Sequence, residues 1–215
     1  MPLFYQQNIN VATRLAVWKI EEDLDFFLQK VPLKREITHP HKKLQHLAGR
    51  YLLRFLYPEF PNEEILIADT RKPFLPAEQY HFSISHCGNY AAAIVSTDKR
   101  VGIDIEIPTE KVLRIRNKFL HEEELNLFPV QSTEHLIEHS TVLWSAKEAM
   151  FKWWGRGEVD FKEMMRLDAF SFKQQGTING CFTKESVSID LQLHYQIFEE
   201  LCLVWLMSET GHFFI

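Results

Sequence analysis

Cysteine is scarce. Cys87, Cys181 and Cys202 are the only three in 215 residues, widely spaced and odd in number, which excludes a disulfide framework and a zinc ligand set. No apolar run reaches the length of a membrane span, and no internal repeat or low-complexity tract occurs. The first twenty residues hold Gln6, Gln7, Asn8, Asn10, Arg14 and Lys19 without a sustained apolar stretch, so neither a secretory signal nor a membrane anchor is expected there. Disorder is excluded by what is present: 46% of the residues are hydrophobic, and 17 Phe, 6 Tyr and 5 Trp supply abundant buryable surface. A cytoplasmic, soluble, globular protein of one domain or two small lobes is the expectation.

The formal net charge of −5 hides an uneven distribution. Between Lys30 and Arg54 stand Lys30, Lys34, Arg35, Lys42, Lys43, Arg50 and Arg54 against one acid, Glu36, so this segment carries +6 and the remainder −11. One reading is a helix with a solvated basic face. The other is a surface for a polyanion, and the acidic balance of the whole favours a pocket for a small polyphosphate over an extended nucleic-acid groove.

Along the chain, Leu15 to Ile20 patterns as a strand, and Glu21-Glu22-Asp23 opens a short helix through Phe26, Phe27 and Leu28. After Pro40, apolar positions recur at helical spacing until Pro58 stops them. From Tyr80 the period changes to two, with turns at Cys87-Gly88-Asn89 and Thr97-Asp98-Lys99-Arg100, which predicts a three-stranded antiparallel meander ending at Ile107. Helical pattern returns over Val112 to Phe119 and from about Thr141 to Trp154, closed by Gly155 and Gly157. Ala169 to Phe172, Ile178 to Phe182, Val187 to Leu193 and Leu201 to Met207 read as strands. A composition shift near residue 100 sets two lobes, 1–100 and 101–215.

Three stretches can carry chemistry. In Val101-Gly102-Ile103-Asp104-Ile105-Glu106-Ile107, strand alternation sends Asp104 and Glu106 to one face about 7 Å apart, with Gly102 leaving room beside them. Such a pair suits a hard divalent cation; the alternative is a half-buried strand with an acidic solvent face. On the helix carrying Trp144-Ser145-Ala146-Lys147-Glu148-Ala149-Met150-Phe151-Lys152, Glu148 falls between Trp144 and Phe151 on an apolar face. An unpaired carboxylate is costly there, so Glu148 needs Lys152 or a metal, while Lys147 projects to the flank, within reach of a phosphate. Ser85 and His86 end the first meander strand. Strand neighbours point to opposite faces and no nucleophile elbow surrounds Ser85, so a phosphate-contacting histidine fits better than a Ser-His nucleophile. Arg71-Lys72-Pro73 adds two cations on a chain stiffened by proline.

The ordered set Lys72-Pro73, Phe82-x-Ile84-Ser85-His86-x-Gly88, Val101-Gly102-Ile103-Asp104-Ile105-Glu106 and Trp144-x-x-Lys147-Glu148-Ala149-x-x-Lys152 resembles the 4'-phosphopantetheinyl transferases of the type that activates surfactin synthetase and the aminoadipate pathway. Lys118-Phe119-Leu120 with Glu123-Glu124-Leu125 is similar to the family's segment between the last two motifs, although His121 and Glu122 depart from it. The resemblance implies an α+β fold of two similar α/β lobes related by pseudo-twofold symmetry, with coenzyme A and the active site in the cleft between them. It implies Mg²⁺-dependent transfer of the phosphopantetheine arm of coenzyme A to a serine of an apo acyl, peptidyl or aryl carrier protein. By similarity Asp104, Glu106 and Glu148 hold Mg²⁺. Glu148, or a metal-bound water beside it, takes the serine proton, and Lys147 and Lys152 steady charge on the phosphates. Ser85, His86, Arg50 and Lys72 resemble coenzyme A contacts. Arg71 stands where family members usually have glycine, which reroutes the loop or adds a cation to the ligand. A monomer without nucleic-acid or membrane partners is expected. The rival readings are a metal-dependent nuclease and a non-catalytic binding module for coenzyme A or its carrier protein.

Overall fold

The structure is a computed structural model describing residues 2–34, 36–126 and 132–209; Arg35 of the basic segment lies outside them. The fold is α+β. The chain separates into two compact units, one running to Ile103 and taken up again at Ser208, the other Asp104–Met207. Among the described residues no helix is long and apolar enough to cross a membrane.

In the first unit, β1 (Leu3–Asn8), β2 (Thr13–Lys19), β5 (His81–Cys87) and β6 (Tyr90–Ser96) form a sheet in the order β1-β2-β6-β5. Two short strands, β3 (Leu66–Ile67) and β4 (Pro73–Phe74), pair separately. Helix α1 (Leu24–Leu28) starts where the Asp23 side chain caps Phe26 N. Helix α2 (Pro40–Leu56) begins with proline at its first position, where no intrahelical N–H is needed, and His39 accepts from Lys42 N. Its buried positions Leu47, Ala48, Leu52, Leu53 and Leu56 repeat every three or four residues and pack with Ala16, Trp18, Phe82, Ala91, Ala93 and Val95. Small residues on β6 let the helix approach closely. A Cβ at Gly49 would lie 2.6 Å from Ile84 Cγ2.

The meander expected of β5, β6 and the next strand is corrected. β6 pairs antiparallel with β5 on one edge, His81↔Ser96 to Cys87↔Tyr90, and with β2 on the other, Thr13↔Ser96 to Lys19↔Tyr90. Both edges being taken, β7 (Lys99–Glu106) leaves that sheet and continues into the second unit.

There the strand order is β7-β11-β10-β9-β8, with β8 (Met165–Leu167), β9 (Gln175–Lys184), β10 (Val187–Ile197) and β11 (Cys202–Glu209). Helices α3 (Lys111–Phe119), α4 (Glu122–Asn126) and α5 (Thr133–Trp154) complete the unit. Helix α5 begins eight residues before the predicted start, where the Ser132 hydroxyl accepts from His135 N. It ends at Gly155, whose φ of 68° and N–H bond to Phe151 O make the left-handed stop. The strand predicted at Ala169–Phe172 is absent. Phe170 and Phe172 instead pack their rings on Tyr195, whose hydroxyl accepts from Lys173 N at 3.0 Å and donates to Ser171 O at 3.4 Å, so side-chain bonds replace a ladder.

The 2.6 Å approach at Gly49 gives a direct expectation. Gly49→Ala forces a methyl into Ile84 and lowers stability by about 1–3 kcal/mol, the usual range for overpacking, measurable by urea denaturation.

Candidate active site

In the first unit, α2 is tied to the β5–β6 turn. Gln45 Nε2 donates to Gly88 O at 2.8 Å, and His41 Nε2 meets Asn89 Oδ1 at 3.0 Å. The turn follows directly on Ser85, which is buried, and His86, which is exposed. These neighbours point to opposite sides, as strand alternation requires. The backbone of Arg50 is held by Asn62 Nδ2, 3.1 Å from its carbonyl oxygen. Lys72 closes the β3–β4 hairpin, its carbonyl accepting from Ala68 N at 2.9 Å. Burial pulls its ammonium down to about 7, helped by the positive charge of Arg100. Arg71 adopts φ 66°, the left-handed conformation that glycine takes without steric cost, and its N–H bonds Ala68 O at 2.8 Å. The arginine at this position therefore occupies a glycine-type backbone geometry with its side chain exposed.

In the second unit, the end of β7 lies under α5. Asp104 is buried, not on an open acidic face, because α5 covers that side of the strand. Ser145 Oγ donates to Asp104 Oδ2 at 2.8 Å, and Lys152 Nζ donates to Oδ1 at 2.6 Å. Trp144 Nε1 donates to Glu106 Oε1 at 3.2 Å. Glu148 is raised to about 7, first by burial and then by the negative charge of Asp104, with Lys152 opposing and Glu106 adding a smaller push. The three sequence-predicted acids thus act on one another electrostatically, although among the described residues no group of three Asp, Glu, His or Cys side chains is placed to hold a metal ion. The donors are all carboxylate oxygens. Mg²⁺ takes one or two carboxylates and fills its remaining positions with water and phosphate oxygens, so this set fits a hard cation shared with a phosphorylated ligand.

Lys147 does not do what the sequence suggested. Its side chain is fully buried, and its ammonium donates to Glu124 Oε2 at 2.6 Å, Phe119 O at 2.7 Å and Phe161 O at 3.0 Å, which occupies all three N–H groups. Burial lowers it to about 8 against the opposing pull of Glu124. Helical geometry explains the correction. At about 100° per residue, Lys147 lies roughly 140–160° around α5 from Ser145 and Lys152, so it faces away from the β7 acids and toward α3 and α4.

Two residues were not singled out by sequence. Glu124 is buried, accepts from Lys147, from His121 N at 2.7 Å and from Leu167 N at 2.9 Å, and so joins α4, α5 and β8. Its signal was present in His121-x-x-Glu124, where an acid three residues into a helix returns to the backbone N–H at the start. Ser145 is the other, a small polar residue one helical turn before Glu148 on the same face of α5.

The buried pair yields a stability test. Glu124→Gln leaves the Lys147 ammonium without its counter-charge and destabilises by about 3–5 kcal/mol, as for other broken buried pairs. The double change Glu124→Gln with Lys147→Met, which keeps an acceptor for Leu167 N and removes the uncompensated charge, is less destabilised than Glu124→Gln alone in chemical denaturation.

Comparison with known proteins agrees with this distribution of residues. Residues 34–96 match the model of the 4'-phosphopantetheinyl transferase N-terminal domain, and residues 100–204 match that of the 4'-phosphopantetheinyl transferase superfamily. A 4'-phosphopantetheinyl transferase of Aneurinibacillus migulanus is 33% identical over 113 residues, 52% of this chain and 46% of the relative. One from Bacillus subtilis is 31% identical over 103 residues, 47% of this chain and 43% of the relative. Enterobactin synthase component D of Escherichia coli is 44% identical over 66 residues, 30% of this chain and 31% of the relative. The chain spans about half the length, or less, of these curated relatives. With two matched segments in consecutive order covering most of its length, and with the motif acids gathered as described, the chain belongs to the 4'-phosphopantetheinyl transferase superfamily.

Proposed function

We propose that this protein transfers the 4'-phosphopantetheine arm of coenzyme A to a serine hydroxyl of an apo carrier protein. The observation that carries the reading is the coupling of Asp104, Glu106 and Glu148 at the second motif pair. Burial first, and then the negative charge of Asp104 with a smaller push from Glu106, lifts Glu148 to about 7 against the opposing charge of Lys152. A group in that range exchanges a proton readily near neutral pH.

In this reading Asp104, Glu106 and Glu148 hold Mg²⁺. When bound, the ion supplies charge neutralisation to the pyrophosphate of coenzyme A. The carrier serine oxygen forms a bond to the phosphorus bearing the pantetheine arm, the bond from that phosphorus to the bridging oxygen breaks, and adenosine bisphosphate leaves with the electron pair. Glu148, or a water beside it, would receive the serine proton. Lys152 is the lysine of the second motif assigned to developing phosphate charge, since Lys147 is committed to Glu124. Arg50, Arg71, Lys72, Ser85 and His86 serve coenzyme A. Lys72 is half-buried and shares its surroundings with the positive charge of Arg100, so an incoming phosphate dianion would favour its charged form.

The direct test is incubation with coenzyme A, Mg²⁺ and a panel of apo fatty-acid, polyketide and nonribosomal-peptide carriers. The expected product is a carrier heavier by one phosphopantetheine in intact-mass spectra, and no gain across the panel refutes the reading. Asp104→Ala and Glu148→Gln are expected to lower turnover by at least about a hundredfold, the scale of lost metal and acid–base function, with unchanged circular dichroism.

A pH dependence follows from Lys72. Below pH 7 its ammonium is charged before the ligand arrives; above about 7 it is neutral and must take up a proton to meet the phosphate. Coenzyme A affinity is therefore expected to weaken as pH rises from 7 to 9, with proton uptake on binding. Calorimetry in buffers of different ionisation enthalpy measures that uptake, and Lys72→Met removes it.

A further inference from the structure

We infer that Ser145 is a positioning residue that sets the orientation of the Asp104 carboxylate and thereby the oxygen offered to the cation. The inference rests on the metal-site reading above and assigns a role to a residue outside the acid set.

The geometry is specific. Ser145 and Asp104 are both buried, and the hydroxyl donates to Oδ2 at 2.8 Å. Asp104 therefore cannot turn its Oδ2 elsewhere without leaving a buried hydroxyl and a buried carboxylate oxygen unsatisfied, each a costly state. The other oxygen, Oδ1, faces Lys152 Nζ at 2.6 Å. The two carboxylate oxygens are thus distinguished. Oδ2 is spent on a neutral donor inside the unit, whereas Oδ1 is directed to positive charge.

The positions along α5 explain why this residue can do so. Ser145, Glu148 and Lys152 stand at i, i+3 and i+7, one face of the helix. The same face therefore supplies an acid of the site, the clamp on one oxygen of Asp104, and the cation on the other. With Ser145 on Oδ2 and Lys152 on Oδ1, rotation of the carboxylate is restricted from both sides. Groups that orient a metal-ligating side chain in this manner typically govern metal affinity tenfold to a hundredfold.

The test is Mn²⁺ binding, read by water-proton relaxation on the full chain, for the wild type, Asp104→Asn, Ser145→Ala and Ser145→Thr. The expected pattern is saturable binding by the wild type, loss in Asp104→Asn, at least about tenfold weaker binding in Ser145→Ala, and recovery in Ser145→Thr, which restores the hydroxyl. Thermal unfolding of each variant without metal separates stability from affinity. A Ser145→Ala variant that binds Mn²⁺ as the wild type does, while Asp104→Asn does not, overturns the role of Ser145 and leaves the metal site standing. Wild type and Asp104→Asn behaving alike overturns the metal site, and this inference with it.

Discussion

The placement of α5 depends on one buried ion pair. Lys147 enters the interior of the second unit fully stripped of water, a state that is unfavourable for an ammonium unless every donor is met. Glu124 and the carbonyls of Phe119 and Phe161 meet all of them. Because the two remaining polar contacts of Glu124 go to His121 N and Leu167 N, a rotation of α5 about its axis would break bonds in α4, α5 and β8 together. The rotation angle of the helix is thereby fixed. That angle is what aims Ser145, Glu148 and Lys152 at Asp104.

Two lysines five residues apart in one motif consequently have opposite tasks. Lys147 gives its charge to the interior; Lys152, about a quarter exposed, keeps contact with solvent and with Asp104. Their difference is one of helical phase and not of chemistry. A motif read as a string treats them as equivalent cations, and only the phase relative to a packed neighbour tells them apart.

Much of this was legible in the sequence where local pattern and tertiary demand agree. The α2 helix between Pro40 and Pro58, the Gly155 stop and the placement of Asp104 and Glu106 on alternate positions of a strand all follow from short-range rules. The rest turned on partners distant along the chain. The turn after β6 has hairpin chemistry, yet β2, some eighty residues earlier, already occupies the edge that a meander would need. Asp104 alternates as predicted, but its face is covered by a helix forty residues later, which converts an open acidic surface into a buried, hydrogen-bonded carboxylate. At Ala169–Phe172, aromatic packing against Tyr195 took precedence over β-propensity.

The charge asymmetry of the sequence acquires a physical meaning at this level. Glu148 is raised first by its burial and then by the negative charges of Asp104 and Glu106, with Lys152 opposing them. Asp104 is buried and Glu106 and Glu148 are half-buried, so a cation beside them would offset a cost that Lys152 meets only in part. Lys72 shows the complementary condition: a lysine lowered by burial and by Arg100 is relieved by an anion. Within the second unit a cation beside Asp104 and Glu148 would favour the ionised carboxylate, and within the first unit an anion beside Lys72 would favour the ammonium, each opposing the effect that burial has on the group.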